Sequence, residues 1–587
     1  MVLKDDKIDQ TFLLPLDIRT MIPSNHVCFF IRKLVDCMDF SDIDGEFKDN
    51  AGQKAYPAAV LVRVIVLGMI YGVHSSRKLE TIIRENIIFM YMAGFERPVF
   101  STIASFKREH RDLIEDVFLE TINYGHNKNL IDFESISVDG SKTRACANKY
   151  KNLTAEDIAK LLYIVEQGII LDEEENRLLE KRGQKTVEQE DMIKERIKKA
   201  LRESRNLKLK EDKPNSKESK SKESKSKESK SKESKSKDNT RKRPMKEAMR
   251  TDASKYDDEM YELIDENNLN LCGKQILRQA IENPQTAYKQ VKKLKKCKEM
   301  IEKTGDNTVN YTDPEARKSP NKEGIMQTGY NEQIVVDNKN GLIIAVDVTT
   351  DGNDQKQLVP MLEKTEENIQ KVLNITHQEY KEQFKNIDLL ADYGYFTYEG
   401  VDTIENKDGV TLYLPDKGLA TKDKDKLRRP DQRKKKTRGY GKQNMTWNEE
   451  NNCYICPEGQ KLEQKQIYHL EDRDKVVYYG NNCKNCPMND ICLTNKMTTK
   501  VITDYVSDST MKLKHRMHTT EGIKKYKDRM PNVEPRFAYN KETLKYRQYH
   551  VKGLENAKTE QLLMATAQNI LKIHNIEQKE NENQIEI

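Results

Sequence analysis

The stretch Ile387-Asp388-Leu389-Leu390-Ala391-Asp392, followed by Tyr393-Gly394-Tyr395-Phe396, decides the reading of this chain. A short apolar run closed by a turn reads as a buried strand, and this one ends on an acid, Asp392. Far upstream, Ser135-Ile136-Ser137-Val138-Asp139-Gly140-Ser141-Lys142 repeats the pattern around Asp139. Far downstream, Glu534 opens a helical pattern. Each acid taken alone is better explained as a turn former or helix cap. Carboxylates are also hard oxygen donors suited to Mg²⁺. Two such ions, about 3.5–4 Å apart, serve in-line displacement at phosphorus. Two strand-end aspartates and one helix-borne glutamate are what such a phosphodiester site needs.

The elements around Asp392 extend the reading. Residues 133–146 read as a strand ending at Asp139. Gly329–Asp337 and Leu342–Thr349 read as a hairpin joined by the Asn338–Gly341 turn. Gln357–Val372 is amphipathic helix, Ile387–Asp392 a buried strand, Thr411–Pro415 another, and a helix begins near Val533. Strand, strand, strand, helix, strand, strand, helix is the order of a ribonuclease-H-like α/β domain. In that fold the first and fourth strands are neighbours, so Asp139 and Asp392 converge and the late helix brings Glu534 to them. Asp347, Asp351 and Asp354 are rivals for a metal role. They rank lower because Asp354 is also explained as the N-cap before Gln357-Leu358.

Residues 1–130 read as an all-α N-terminal domain. Ser101–Arg108 resembles a capped helix start carrying Lys107 and Arg108, a pattern that suits DNA contact and an ordinary solvated bundle equally. The ribonuclease-H-like core then comprises 131–150, 310–418 and 505–575. Residues 151–309 read as a charged helical insertion holding four copies of Ser-Lys-Glu-Ser-Lys at 216–235. That repeat has nothing to bury and reads as disordered. Residues 419–504 form a basic, Cys-rich insertion, and 576–587 a tail.

At 587 residues the chain exceeds one core, and three or four domains are expected. Its net charge of +6 is too mild to identify a partner; the clustering says more. The densest basic run, Leu427 to Arg438, includes Arg433, Lys434 and Lys435, and reads equally as a phosphate-binding segment or a solvated linker. Lys142, Arg144, Tyr526, Arg529 and Lys541 are placed at the DNA on the strength of their nearness in sequence to the three acids. Glu534 and Lys541 would share a helical face two turns apart. No apolar run spans the roughly 20 residues of a membrane helix, and the N-terminal residues do not read as a signal peptide. A cytoplasmic location is expected, nucleoid-associated when the protein is on DNA.

Ten cysteines are present, and five fall between Cys453 and Cys492. In a cytosolic chain, Cys453-x₂-Cys456 and Cys483-x₂-Cys486 with Cys492 read as a zinc ribbon before they read as disulfides. Five candidates compete for four places, and a metal-free cysteine-rich loop is the alternative. Trp447, the single tryptophan, is expected in the core of this small insertion.

These motifs resemble bacterial insertion-sequence transposases of the DDE type, over nearly the whole chain. The likeness rests on Tyr56-Pro57 through Leu79-Glu80, Arg84-Glu85-Asn86 and Arg97-Pro98 to Phe106. It continues in Val138-Asp139-Gly140-Ser141-Lys142, Thr312 to Arg317, Gly329-Tyr330-Asn331, Leu390-Ala391-Asp392-Tyr393-Gly394-Tyr395, and Val533-Glu534-Pro535-Arg536-Phe537 with Lys541. The resemblance implies Asp139, Asp392 and Glu534 as catalytic ligands of two Mg²⁺ or Mn²⁺ ions. It implies Cys456, Cys483, Cys486 and Cys492 as the metal cysteines, with Cys453 the extra one. It implies binding of terminal inverted repeats and target DNA, strand cleavage, 3′-hydroxyl transfer, and work as a homodimer or larger synaptic complex. The wider group spaces its tyrosine, arginine, glutamate and lysine by two, three and six residues. Here four residues separate Arg529 from Glu534, a departure that bears on Arg529. The Ser-Lys-Glu repeat has no counterpart in the family pattern.

Overall fold

A computed structural model describes residues 17–46, 55–169, 187–205, 258–282, 287–320, 324–415, 441–448, 450–470, 473–493 and 497–585. The Ser-Lys-Glu repeat and the basic run with Arg433, Lys434 and Lys435 lie outside them. Two compact units emerge: residues 1–147 with 316–587, and residues 148–315.

The first unit is mixed α/β with a helical N-terminal region. Its early helices are α1 (Val27–Asp36), α2 (Ala58–Ile70), α3 (Ser76–Glu85), α4 (Ile87–Met92), α5 (Phe100–Glu109) and α6 (Arg111–Asn127). Arg63 is the one charged residue of α2, and ten of its thirteen residues are buried. A helix apolar on every side has to be enclosed. Asn86 starts α4 by accepting the backbone N–H groups of Ile88 and Phe89.

The sheet consists of β1 (Ser135–Arg144), β2 (Arg317–Pro320), β3 (Met326–Asp337), β4 (Leu342–Thr349), β5 (Ile387–Leu390) and β6 (Val410–Tyr413). β3 pairs antiparallel with β1 on one edge and with β4, then β2, on the other. β1 pairs parallel with β5, and β5 with β6. The main order is therefore β4-β3-β1-β5-β6. The expected hairpin is present, and so is the contact of first and fourth strands. One boundary differs: β1 does not end at Asp139 but runs on to Arg144, because β3 supplies hydrogen-bonding partners along that whole length.

Further helices of the unit include α7 (Leu358–Leu373), α8 (Tyr398–Glu405), α9 (Asp508–His518), α10 (Thr520–Lys527), α11 (Arg529–Ala538) and α12 (Leu554–Ile585). α12 packs on β4 and on α1, α2 and α6. One continuous core joins Ile31, Leu67 and Phe118 of the N-terminal helices to Val335, Ile344 and Leu389 of the sheet and Ile570 of α12. The N-terminal helices thus share the sheet's core and do not form a separate body.

The Cys-rich insertion carries its own antiparallel sheet: β7 (Thr446–Asn448), β8 (Cys453–Ile455), β9 (Lys461–His469), β10 (Asp474–Gly480) and β11 (Val501–Val506). Trp447, Tyr454, Leu462 and Tyr478 make its small core, as read for Trp447.

The second unit, expected as a charged helical insertion, is helical and has a hydrophobic core as well. Helices Ala155–Ile164, Val187–Ser204, Asp258–Glu266, Leu271–Glu282 and Ala287–Thr304 surround a core of their own. Leu161, Leu201, Leu277 and Leu294 in it are fully enclosed. The strands Asn152–Thr154 and Thr308–Asn310 pair to close the unit at its two ends of chain. Dense Lys and Glu on the outer faces hid these apolar stripes.

Candidate active site

Pairing of Ser137 with Leu390 sets the register between β1 and β5. Two residues further along each, Asp139 and Asp392 stand level on neighbouring chains. Asp392 caps the short turn Tyr393–Tyr395: its Oδ1 accepts the Gly394 N–H at 2.7 Å. A Cβ at Gly394 would stand 2.7 Å from that same oxygen, so the turn needs glycine there.

Arg529, at the start of α11, lies between the two acids. Its Nη2 is 3.0 Å from Asp139 Oδ1 and 3.9 Å from Asp392 Oδ2. Its Nε donates to the Val138 carbonyl at 3.4 Å. Arg529, Val533 and Phe537 are the buried residues of α11, spaced four apart along the face that meets the sheet. Burial is the largest influence on Asp139 and drives its pKa up; Arg529 pulls it back, while Asp392 and Asp354 raise it, to about 6.

Asp354 belongs to this cluster, and its expected role as an N-cap does not hold. The cap position of α7 is Gln357, which makes no side-chain cap. Asp354 Oδ1 instead accepts from Asn331 Nδ2 at 2.8 Å and Gln333 Nε2 at 2.7 Å. The buried Tyr395 hydroxyl donates to Gln333 Oε1, completing a chain from tyrosine to amide to acid. Burial first, then Asp354, Asp139 and Asp392, hold the Tyr395 hydroxyl well above its ordinary pKa. A Cβ at Gly140 would stand 2.5 Å from both Asp354 Oδ1 and Gln333 Nε2, so glycine there lets the acid approach β1. Sequence reasoning missed Asn331, Gln333 and Tyr395. One signal was available: Asn331-Glu332-Gln333 puts three polar residues into a strand that continues as Ile334-Val335-Val336, and all six are buried.

The remaining candidates are placed differently. Glu534 sits on the exposed side of α11, one residue past buried Val533. The ligand atoms of Asp139, Asp392 and Glu534 are not drawn within 4.8 Å of one another; among the described residues, one other trio meets that condition. α11 stops at Ala538 and passes into a wider turn, Tyr539–Thr543, so Glu534 and Lys541 do not share one regular helical face. Lys541 points inward and donates to the Ser141 hydroxyl. Lys107 also faces inward: burial lowers its pKa and nearby Glu560 raises it. Arg529 is enclosed too, which takes it away from any phosphate in this conformation. Tyr526 is half-buried and near Arg529. Arg108 and Arg144 are exposed, and Lys142 is half-buried with its ammonium on the Pro320 carbonyl at 3.2 Å.

In the insertion, Cys456, Cys483, Cys486 and Cys492 line one cavity of about 20 Å³. Cys453 lies elsewhere, buried in β8. No three of these sulfurs come within 4.8 Å of one another, and none of the five is in a disulfide.

Strands bearing level aspartates, with a helix crossing them, define a site for charge-stabilised chemistry. Two family models match the chain: "Transposase DDE domain" over residues 455–574 and "Transposase domain (DUF772)" over residues 16–109. Together they indicate an insertion-sequence transposase of the DDE type. The first match contains the four cavity cysteines, Glu534 and Lys541; Asp139 and Asp392 lie outside both. No curated protein and no solved structure matches the chain. Among the described residues, no helix is long and apolar enough to cross a membrane.

Proposed function

We propose that this chain is the transposase of a bacterial insertion sequence, cutting DNA at the element's terminal inverted repeats and transferring the exposed 3′-hydroxyls to target DNA. The observation that carries this reading is the parallel β1–β5 register, which sets Asp139 and Asp392 side by side. The strand order β4-β3-β1-β5-β6 supports a ribonuclease-H-like core.

The donor set fits divalent cations. Asp139 is half-buried beside other carboxylates, and Arg529 only partly offsets their charge. Asp139 and Asp392, with Glu534 from the exposed side of α11, are assigned as ligands of Mg²⁺ or Mn²⁺, two ions per site. Bound there, such ions would supply Lewis-acid activation of the attacking oxygen and stabilisation of the leaving one. The protein's own contribution is positional. β1 fixes Asp139, the Tyr393–Tyr395 turn fixes Asp392, and the Tyr395–Gln333–Asp354 chain keeps a further negative charge beside them. Arg529 offsets part of the acids' charge and so limits their mutual repulsion.

The four cavity cysteines are soft sulfur donors that would hold one structural zinc once drawn together; a closed Cys₄ site would offer no open position for catalysis. DNA contact falls to the exposed cations Arg108 and Arg144, to Lys142, and to Arg433, Lys434 and Lys435. The working form is a homodimer or larger synaptic complex in the cytoplasm, on the nucleoid when bound.

Transposition in cells tests the reading. A marker is flanked by the DNA ends that border this gene, and wild type is compared with Asp139→Ala, Asp392→Ala and Glu534→Ala. Movement with wild type alone is expected. Any one variant that still moves the marker at near-normal frequency is wrongly assigned.

A further inference from the structure

We propose that His74, His550 and Glu560 form a transition-metal site, distinct from the aspartate cluster and the cysteines, that clasps the α2–α3 link to the start of α12. His74 lies in that link, His550 just before α12, and Glu560 in its second turn. They are far apart in sequence, yet one ligand atom from each lies within 4.8 Å of the other two.

One edge of the trio already has the spacing of a bound ion's ligands. His550 Nδ1 and Glu560 Oε1 are 3.1 Å apart. Two ligands of a tetrahedral zinc ion, at bonds of about 2.0–2.1 Å, stand roughly 3.3 Å apart. The His74 and His550 rings stack with centroids 4.8 Å apart and planes 23° from parallel. Glu560 is also fixed by the His550 backbone N–H at 3.0 Å.

An ordinary His550–Glu560 ion pair explains two of the three residues and leaves the third unexplained. His74 is 8% exposed; its Nε2 is buried and meets no partner at full hydrogen-bond geometry, the Leu544 backbone being the acceptor that approaches the ring. Buried ring nitrogens of histidine almost always have one, and an orphan calls for a partner such as an ion or water. The other nitrogen, Nδ1, stands 3.3 Å from Met69 Sδ, which fixes how the ring sits. Two imidazole nitrogens and one carboxylate oxygen suit a divalent first-row ion, zinc foremost, rather than Mg²⁺. The more exposed His550 leaves the fourth position to water. Lys107 beside Glu560 supplies a positive neighbour that the ion must tolerate, so micromolar rather than tighter binding is the expectation.

The test is a Zn²⁺ titration of metal-free, full-length protein, comparing wild type with His74→Gln and His550→Gln. Wild type should bind one more equivalent at micromolar Zn²⁺ than either variant. With Co²⁺ as probe, the lost equivalent should carry no thiolate-to-metal charge-transfer band, which separates it from the cysteine cluster. Chelation should lower the wild-type melting temperature more than that of folded His550→Gln. Equal zinc uptake by all three proteins, or an extra equivalent only at millimolar Zn²⁺, overturns the site. Should His74→Gln fail to fold, His550→Gln at the rim carries the comparison alone.

Discussion

At the scale of single residues, Asp139 and Asp392 were legible because each closes an apolar run before a small-residue turn, a local signal. Asp354 was not, because its meaning comes from Asn331 and Gln333, which reach it only through the sheet. Arg529 shows the same limit: its direction follows from which face of α11 is apolar, and Glu534 turns out to lie off that face. Replacing Asp354 by Asn keeps the acceptor for both amides but removes the charge. We expect Asp354→Asn to slow cleavage about 10–100-fold, as loss of a supporting group does at a metal site, with binding of the element ends unchanged in a gel-shift assay. A second residue, Glu332, gives a pH test. It is completely buried, and its pKa is pushed up to about 7, with burial the largest cause and Thr143, Lys541 and Tyr549 pulling back. A carboxyl group whose folded pKa is raised favours the native state below its unfolded value. That contribution is lost as pH rises through about 7. Glu332→Gln should therefore raise the melting temperature at pH 8 relative to wild type and leave it nearly unchanged at pH 4. A gain that is equal at both pH values would contradict the burial argument.

Among the elements, the hairpin, α7 and the two parallel strands were readable from period and turn chemistry. Their spacing follows from local rules. The second unit was not, because its apolar stripes are interleaved with Lys and Glu, and the mean composition of the segment looks solvated. Its enclosed leucines make the claim testable. Leu294→Ala should destabilise that unit by about 2–5 kcal/mol, seen as faster proteolysis within residues 148–315 while the other unit keeps its protection. Uniform protection across the variant would mean that the leucine is not in a separate core. The repeat at 216–235 has no apolar residue to contribute to that core. Its removal is expected to leave both melting behaviour and transposition largely intact.

Across the whole first unit, α12 ties the N-terminal helices to the sheet, and this long-range packing had no sequence signature beyond helical period. Asn569 is its polar anchor. The β3–β4 pairing slips at Val335/Val336, and Asn569 takes up the Ile343 backbone there. Its Oδ1 accepts the Ile343 N–H at 2.8 Å, and its Nδ2 donates to the Ile343 carbonyl at 2.8 Å and to Thr121 Oγ1 at 3.0 Å. Asn569→Leu removes the side-chain partner of the buried Ile343 N–H and carbonyl, at about 1–3 kcal/mol for each group left unpaired, while Thr121 keeps its bond to the Phe118 carbonyl. The N-terminal helices and the sheet should then lose hydrogen-exchange protection together, since they share one core.

The central claim is that level aspartates on β1 and β5 cut and join DNA. The most direct measurement uses purified protein, DNA carrying the element's ends, a target duplex and Mg²⁺, with wild type against Asp392→Asn. Wild type should release 3′-hydroxyl ends and produce joined strands. The variant should bind the same ends and lose cleavage by about a thousandfold or more, some 4 kcal/mol of transition-state stabilisation. Near-normal cleavage by Asp392→Asn would contradict the account.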